Sequence, residues 1–161
     1  MKSIVIGFSK PVNRFMPVFS WLVRLYLRKP YSHVYLKFYS DSLDRWIVYE
    51  SMGSGVRFVG LAMWEKTAKS LKEVTLDISE EDYRKLLTFC VDNSGKPYDY
   101  LQNIGIFISN LLNLKKNILK ARSYYTNCSE EIAIVLQKLG KTFDKDLDLV
   151  TPKDIEETLS N

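Results

Sequence analysis

Histidine and cysteine are scarce in this chain: His33 stands alone, and the two cysteines are Cys90 and Cys128. Two thiols do not build a disulfide framework in a chain of 161 residues. A single imidazole without paired-cysteine spacing does not furnish a structural zinc site, and no metal or cofactor is expected. Long apolar runs are missing too. None approaches the roughly 20 residues that a membrane-spanning helix needs. After Lys2 the opening apolar run is broken by Ser9-Lys10-Pro11 and Asn13-Arg14, unlike a signal peptide, so a cytoplasmic location is the default expectation. Internal repeats, low-complexity tracts and linkers are absent, and the chain reads as one domain over residues 1–161. The net charge of +4 is mild and permits an anionic partner without demanding one.

What is present is a mixed pattern. Residues 3–8 read as a β-strand. A helix is expected over 15–27, capped by Asn13, with Pro17 in its first turn and a stop before Pro30. Strands over 31–39, 45–51 and 56–59, separated by turns at 41–44 and 53–55, read as an antiparallel meander. A short helix over 61–67 and a fifth strand over 72–78 follow. Ser79-Glu80-Glu81-Asp82 opens a helix on which Tyr83, Leu86, Leu87, Cys90 and Val91 share a face, so Cys90 reads as core. Thr151-Pro152-Lys153-Asp154 caps a last helix. Strands and helices in this order predict an α+β domain with an antiparallel sheet packed against helices.

One helix start carries chemistry. Asn127 is a good N-cap, Ser129, Glu130 and Glu131 fill the first turn, and Ile132, Val135, Leu136 and Leu139 recur at helical spacing before Gly140. Cys128 therefore sits beside the positive end of a helix, which lowers a thiol pKa from about 8.5. Two readings stand at this point: a small apolar residue packed at a helix start, or an activated nucleophile. A nucleophilic thiol needs a base, and His33 is the one imidazole available. Along its strand His33, Tyr35 and Lys37 point one way, while Val34, Leu36 and Phe38 point to the core. Glu50 shares a face with Trp46 and Val48 on the next strand, from which it can approach and orient the imidazole. Each also has an ordinary reading, His33 as a hydrogen-bonded surface histidine and Glu50 as a strand-end carboxylate.

The order Ser32-His33-Val34, Tyr49-Glu50-Ser51, Gly55-Val56, Pro97-Tyr98-Asp99, Asn127-Cys128-Ser129-Glu130-Glu131 and Thr151-Pro152-Lys153-Asp154 resembles the circularly permuted papain-like branch of the NlpC superfamily, the YiiX-like cysteine peptidases and amidases. In that branch the histidine precedes the cysteine. The resemblance spans nearly the whole chain. It implies a permuted papain-like (NlpC-type) fold with Cys128 as nucleophile, His33 as base and Glu50 as the third polar residue. Residues 98–122, apolar and then basic, exceed a minimal core and read as a helical insert: a lid, a partner-docking helix, a membrane-touching segment or a buried helix.

These residues predict a cysteine hydrolase for an amide, isopeptide or ester bond. The Cys128 amide is one oxyanion donor, with Tyr31, Tyr49 and Asn127 as further oxyanion or substrate-contact candidates. Cell-wall peptides and lipid acyl groups are the substrates the resemblance implies. Acyl transfer by the same Cys128 and His33 is an alternative. So is a non-catalytic module docking a protein or membrane partner through its apolar helix. Nucleic-acid binding through Lys115, Lys116, Lys120 and Arg122 with Tyr124 and Tyr125 is the weakest reading, since no base-reading motif accompanies the charges.

Overall fold

The alternating N-terminal half folds as the pattern predicts. The computed structural model describes residues 1–12, 17–112, 114, 116–119 and 124–160, with the backbone alone for 17–19. Strands β1 (Lys2–Pro11), β2 (His33–Ser40), β3 (Arg45–Met52), β4 (Gly55–Gly60) and β5 (Ala68–Ile78) form one antiparallel sheet in the order β4-β3-β2-β1-β5. The helices are α1 (Pro17–Leu27), α2 (Leu61–Trp64), α3 (Glu80–Asn93), α4 (Tyr100–Leu111), α5 (Cys128–Lys138) and α6 (Pro152–Ser160).

The two faces of the sheet carry different layers. Ile4, Ile6 and Phe8 of β1, Val34, Leu36 and Phe38 of β2 and Tyr49 of β3 form the main core. Against them pack Tyr83, Leu86 and Cys90 of α3, Ile132, Val135 and Leu136 of α5, and Ile155 of α6. The opposite face holds a smaller cluster of Tyr35, Val48, Trp64 and Ala68. Burial of each large side chain in these layers contributes on the order of 1.5–3 kcal/mol. Helix α5 ends as its sequence suggests: Gly140 has φ of 83°, and the Lys141 amide reaches back to the Leu136 carbonyl at 3.0 Å.

Departures from the sequence expectations have tertiary causes. β5 starts at Ala68 rather than 72 because it pairs along the whole of β1, out to Pro11↔Ala68. α4 starts at Tyr100 because the Asp99 carboxylate accepts from the Gln102 amide at 2.8 Å and caps the helix there. Val91 is largely exposed and does not share the buried face of Leu86 and Cys90. The expected Asn13 cap and the start of α1 at 15 lie outside the described residues, as do Lys115, Lys120 and Arg122 of the basic stretch.

Gly7 on β1 is the register partner of Tyr35 on β2. A Cβ at Gly7 would lie 2.1 Å from a ring carbon of Tyr35. The absent side chain lets the Tyr35 ring lie across β1 and pack on Trp64, with centroids 4.4 Å apart. Gly7→Ala is therefore expected to lower stability by about 1–3 kcal/mol through overpacking, read as a lower urea midpoint. A midpoint equal to that of the unaltered protein would contradict this packing.

Candidate active site

Strand pairing brings His33 and Glu50 together. Ser9 on β1 is the register partner of His33, and the Ser32 amide donates to the Ser9 carbonyl at 3.0 Å, which anchors the start of β2. Leu36 pairs with Tyr49 across β2 and β3. His33 and Glu50 therefore share a face as diagonal neighbours, within reach for long side chains. His33 Nε2 lies 3.0 Å from Glu50 Oε2. That carboxylate is fully buried. Trp64 Nε1 donates to its Oε2 at 2.8 Å, and Arg57 Nε and Nη2 donate to its Oε1 at 3.1 and 2.8 Å.

The thiol arrives from the other end of the chain. Asn127 Oδ1 accepts from the amides of Ser129 and Glu130, both at 2.9 Å, and so caps α5. The segment before it is held by a parallel bridge between Tyr98 and Thr126, in which the Thr126 amide donates to the Pro97 carbonyl at 3.2 Å and the Asp99 amide to the Thr126 carbonyl at 2.9 Å. α5 packs on β2 and β3 through the main core, which sets Cys128 beside the His33 ring, near enough for each to shift the other's pKa. Glu50 holds Nε2 of the ring.

The charges at the site support one another. Burial alone would raise the Cys128 pKa. The positive charge and hydrogen bond of His33, the Val34 amide and the Ser129 hydroxyl outweigh it and hold the thiol below its ordinary value. Burial alone would strip the proton from His33. The Cys128 sulfur and then the Glu50 carboxylate overcome it and raise the imidazole to about 10. Burial also works against ionised Glu50, yet His33, Arg57 and Trp64 keep its pKa lowered. Both shifts run in the direction of a thiolate beside an imidazolium. Cys90 differs: it sits in the main core, and burial pushes its thiol well up.

Tyr98, Arg57 and Trp64 are site residues that sequence reasoning missed. The Tyr98 hydroxyl accepts from Asn103 Nδ2 at 2.9 Å and lies near enough to Cys128 for the sulfur's charge to act on it. Burial and then the sulfur's negative charge keep it protonated. Arg57 was findable, because a tight turn at Gly53-Ser54 sets Glu50 opposite Arg57 in the hairpin. Tyr98 and Trp64 meet the site through long-range packing that no local pattern reveals. Conversely, Tyr31 and Tyr49 are not placed as oxyanion donors. The Tyr31 hydroxyl donates to Glu156 on α6 at 2.6 Å, and that of Tyr49 donates to Glu131 on the core side of the sheet. Asn127 Oδ1 serves as the cap, while its Nδ2 is buried without a hydrogen-bond partner.

A cavity of about 230 Å³ opens beside His33, lined among others by Ser9, Ser20, Val23, Tyr98 and Tyr100, with Cys128 outside its lining. The Ser9 hydroxyl is buried there without a protein partner.

No family model matches the chain, and no curated protein matches it. Among solved structures, the crystal structure of metalloprotein yiiX from Escherichia coli O157:H7 aligns with 98% of this chain and 79% of that chain, with a TM-score of 0.58 and 20% identity. The chain has the fold of yiiX. The description of yiiX as a metalloprotein does not carry over to the donors seen here. Among the described residues no group of three or more His, Cys, Asp or Glu is placed to hold a metal ion. Both oxygens of Glu50 are already taken by cationic or N–H donors, with the Arg57 guanidinium beside them.

The thiolate should show in alkylation. Iodoacetamide is expected to modify Cys128 and spare Cys90 in the native protein, with the Cys128 rate persisting as pH falls below the ordinary thiol range near 8.5. Replacing His33 by Gln removes the positive charge and leaves burial dominant, so the inflection should move to higher pH. An inflection unmoved by His33→Gln, followed by mass spectrometry, would refute the pairing.

Proposed function

We propose that the protein is a cysteine hydrolase of the permuted papain-like, NlpC-type class, cleaving an amide or ester bond. The observation that carries this reading is the buried Cys128–His33 pair with Glu50 behind the imidazole. The likeness to yiiX supports the fold and leaves the activity to the site.

In this mechanism the Cys128 sulfur attacks the substrate carbonyl carbon. The developing oxyanion is met by the Cys128 amide, which the Asn127 cap leaves free by engaging the next two amides. The Tyr98 hydroxyl, near the sulfur and kept protonated by burial and the sulfur's charge, is the second donor. As the tetrahedral species collapses, His33 gives its proton to the leaving nitrogen or oxygen and a thioester remains on Cys128. Neutral His33 then takes a proton from water as that water attacks the thioester. The acid product leaves, and the thiolate–imidazolium pair returns. Glu50 acts through His33 as a positioning residue: it fixes the ring and favours its charged form.

A panel of acyl p-nitrophenyl esters and N-acyl amides is the direct test. Turnover should fall by at least about 10²-fold in Cys128→Ala and His33→Ala, with both variants folded by circular dichroism. Intact-mass analysis should show an acyl adduct on the unaltered protein and none on Cys128→Ala. Full activity in either folded variant would sink the hydrolase reading.

A further inference from the structure

Helix α4 presents its two sides in reverse. Its buried positions are Gln102, Gly105, Ile106 and Ser109, whereas Leu101, Ile104, Phe107 and Leu111 face outward. A surface helix ordinarily shows its polar side to water. The inward polar side is built, not tolerated. Gln102 Nε2 donates to Glu130 at 2.8 Å. Asn117 lies against Gly105, and its Nδ2 donates to the Gln102 carbonyl at 2.9 Å and the Asp148 carbonyl at 3.2 Å. These bonds fix the rotation of α4, so its apolar stripe is held outward.

The neighbouring helix continues the stripe. The Tyr26 ring of α1 meets Phe107 of α4 edge-on, with centroids 5.0 Å apart. α1 exposes Trp21, Leu22 and Leu25. Ser20 and Val23 of α1 and Tyr100 of α4 also line the cavity beside His33, so the apolar face is continuous with the mouth of the site. Along the chain, both segments lack acidic residues, although Lys2, Lys29 and Lys37 pair with Asp41, Glu156 and Glu73 from elsewhere and Asp154 lies near Tyr26 of α1. The first 40 residues hold seven basic residues and no acidic one, and between Asp99 and Glu130 there are four basic residues and no acidic one.

We propose that the exposed face of α1 and α4 is a docking surface for an anionic lipid bilayer, seated among the headgroups with the cavity mouth opening onto the membrane. An apolar ridge with an exposed tryptophan, on segments whose own charged residues are all basic, matches the chemistry of an interfacial helix. The basic residues add attraction to anionic headgroups. Among the described residues no helix is long and apolar enough to cross a membrane, so the contact is peripheral. The proposal stands on the surface alone and does not need Cys128 to turn over.

The test uses the full chain with vesicles of phosphatidylcholine, alone or with about a third phosphatidylglycerol. The protein should co-sediment with the anionic vesicles at low salt and less so at high salt, and its tryptophan emission should shift to shorter wavelength. The double variant Leu101→Glu/Phe107→Glu should weaken binding at least about tenfold, and Trp21→Gln, which leaves α4 untouched, should weaken it and remove the emission shift. No binding to anionic vesicles at low salt would overturn the proposal, as would undiminished binding in both variants. Cys128 alkylation measured on the same preparation separates failure of this surface from failure of the thiol chemistry.

Discussion

Glu50 carries its carboxylate where water does not reach, and the site is arranged around satisfying it. An uncompensated charge at such a position costs several kcal/mol. Here three side chains from different elements answer it: Arg57 from β4, Trp64 from α2 and His33 from β2. The β3–β4 hairpin register sets Arg57 opposite Glu50. The Tyr35 ring, admitted by Gly7, packs the indole of Trp64 in place. Each of these contacts is a fold contact first, and their sum is an imidazole fixed in direction and biased toward its charged form.

That bias passes to the thiol. Cys128 is nearly fully buried, an environment that by itself favours the neutral S–H. The His33 charge and then the Val34 amide reverse the preference, at a helix start capped by Asn127. Residues 95 positions apart in the chain, His33 and Cys128, meet because α5 lays Ile132, Val135 and Leu136 on the core face of β2 and β3 while its first residue overhangs the end of β2. Packing of the core and chemistry of the site are thus the same contact seen from its two ends.

Much of the sheet is legible in the amino-acid order, because strict alternation and tight turns are local signals. The meander β2-β3-β4, the face shared by His33 and Glu50, the Asn127 cap and the apolar face of α5 all follow from spacing alone. What stays hidden is set by distant partners. The length of β5 depends on β1, and the place of Tyr98 depends on its bridge to Thr126. Tyr31 and Tyr49 illustrate the opposite failure. Aromatic residues beside candidate catalytic positions look available in sequence, yet their hydroxyls are committed to Glu156 and Glu131. Hydropathy identified α4 as unusually apolar, but only its packing reveals that the apolar side faces out.

Because His33 is the one histidine in the chain, its state can be read without ambiguity. The most direct measurement is a pH titration of the ¹⁵N-labelled imidazole by NMR, following both ring nitrogens in the native protein and in Cys128→Ser. A thiolate–imidazolium pair requires both nitrogens protonated through neutral pH, with loss of a proton only near pH 10 and a clear downward shift once the sulfur is replaced. A His33 that titrates near the ordinary value of about 6.5, unaffected by replacing Cys128, would contradict it.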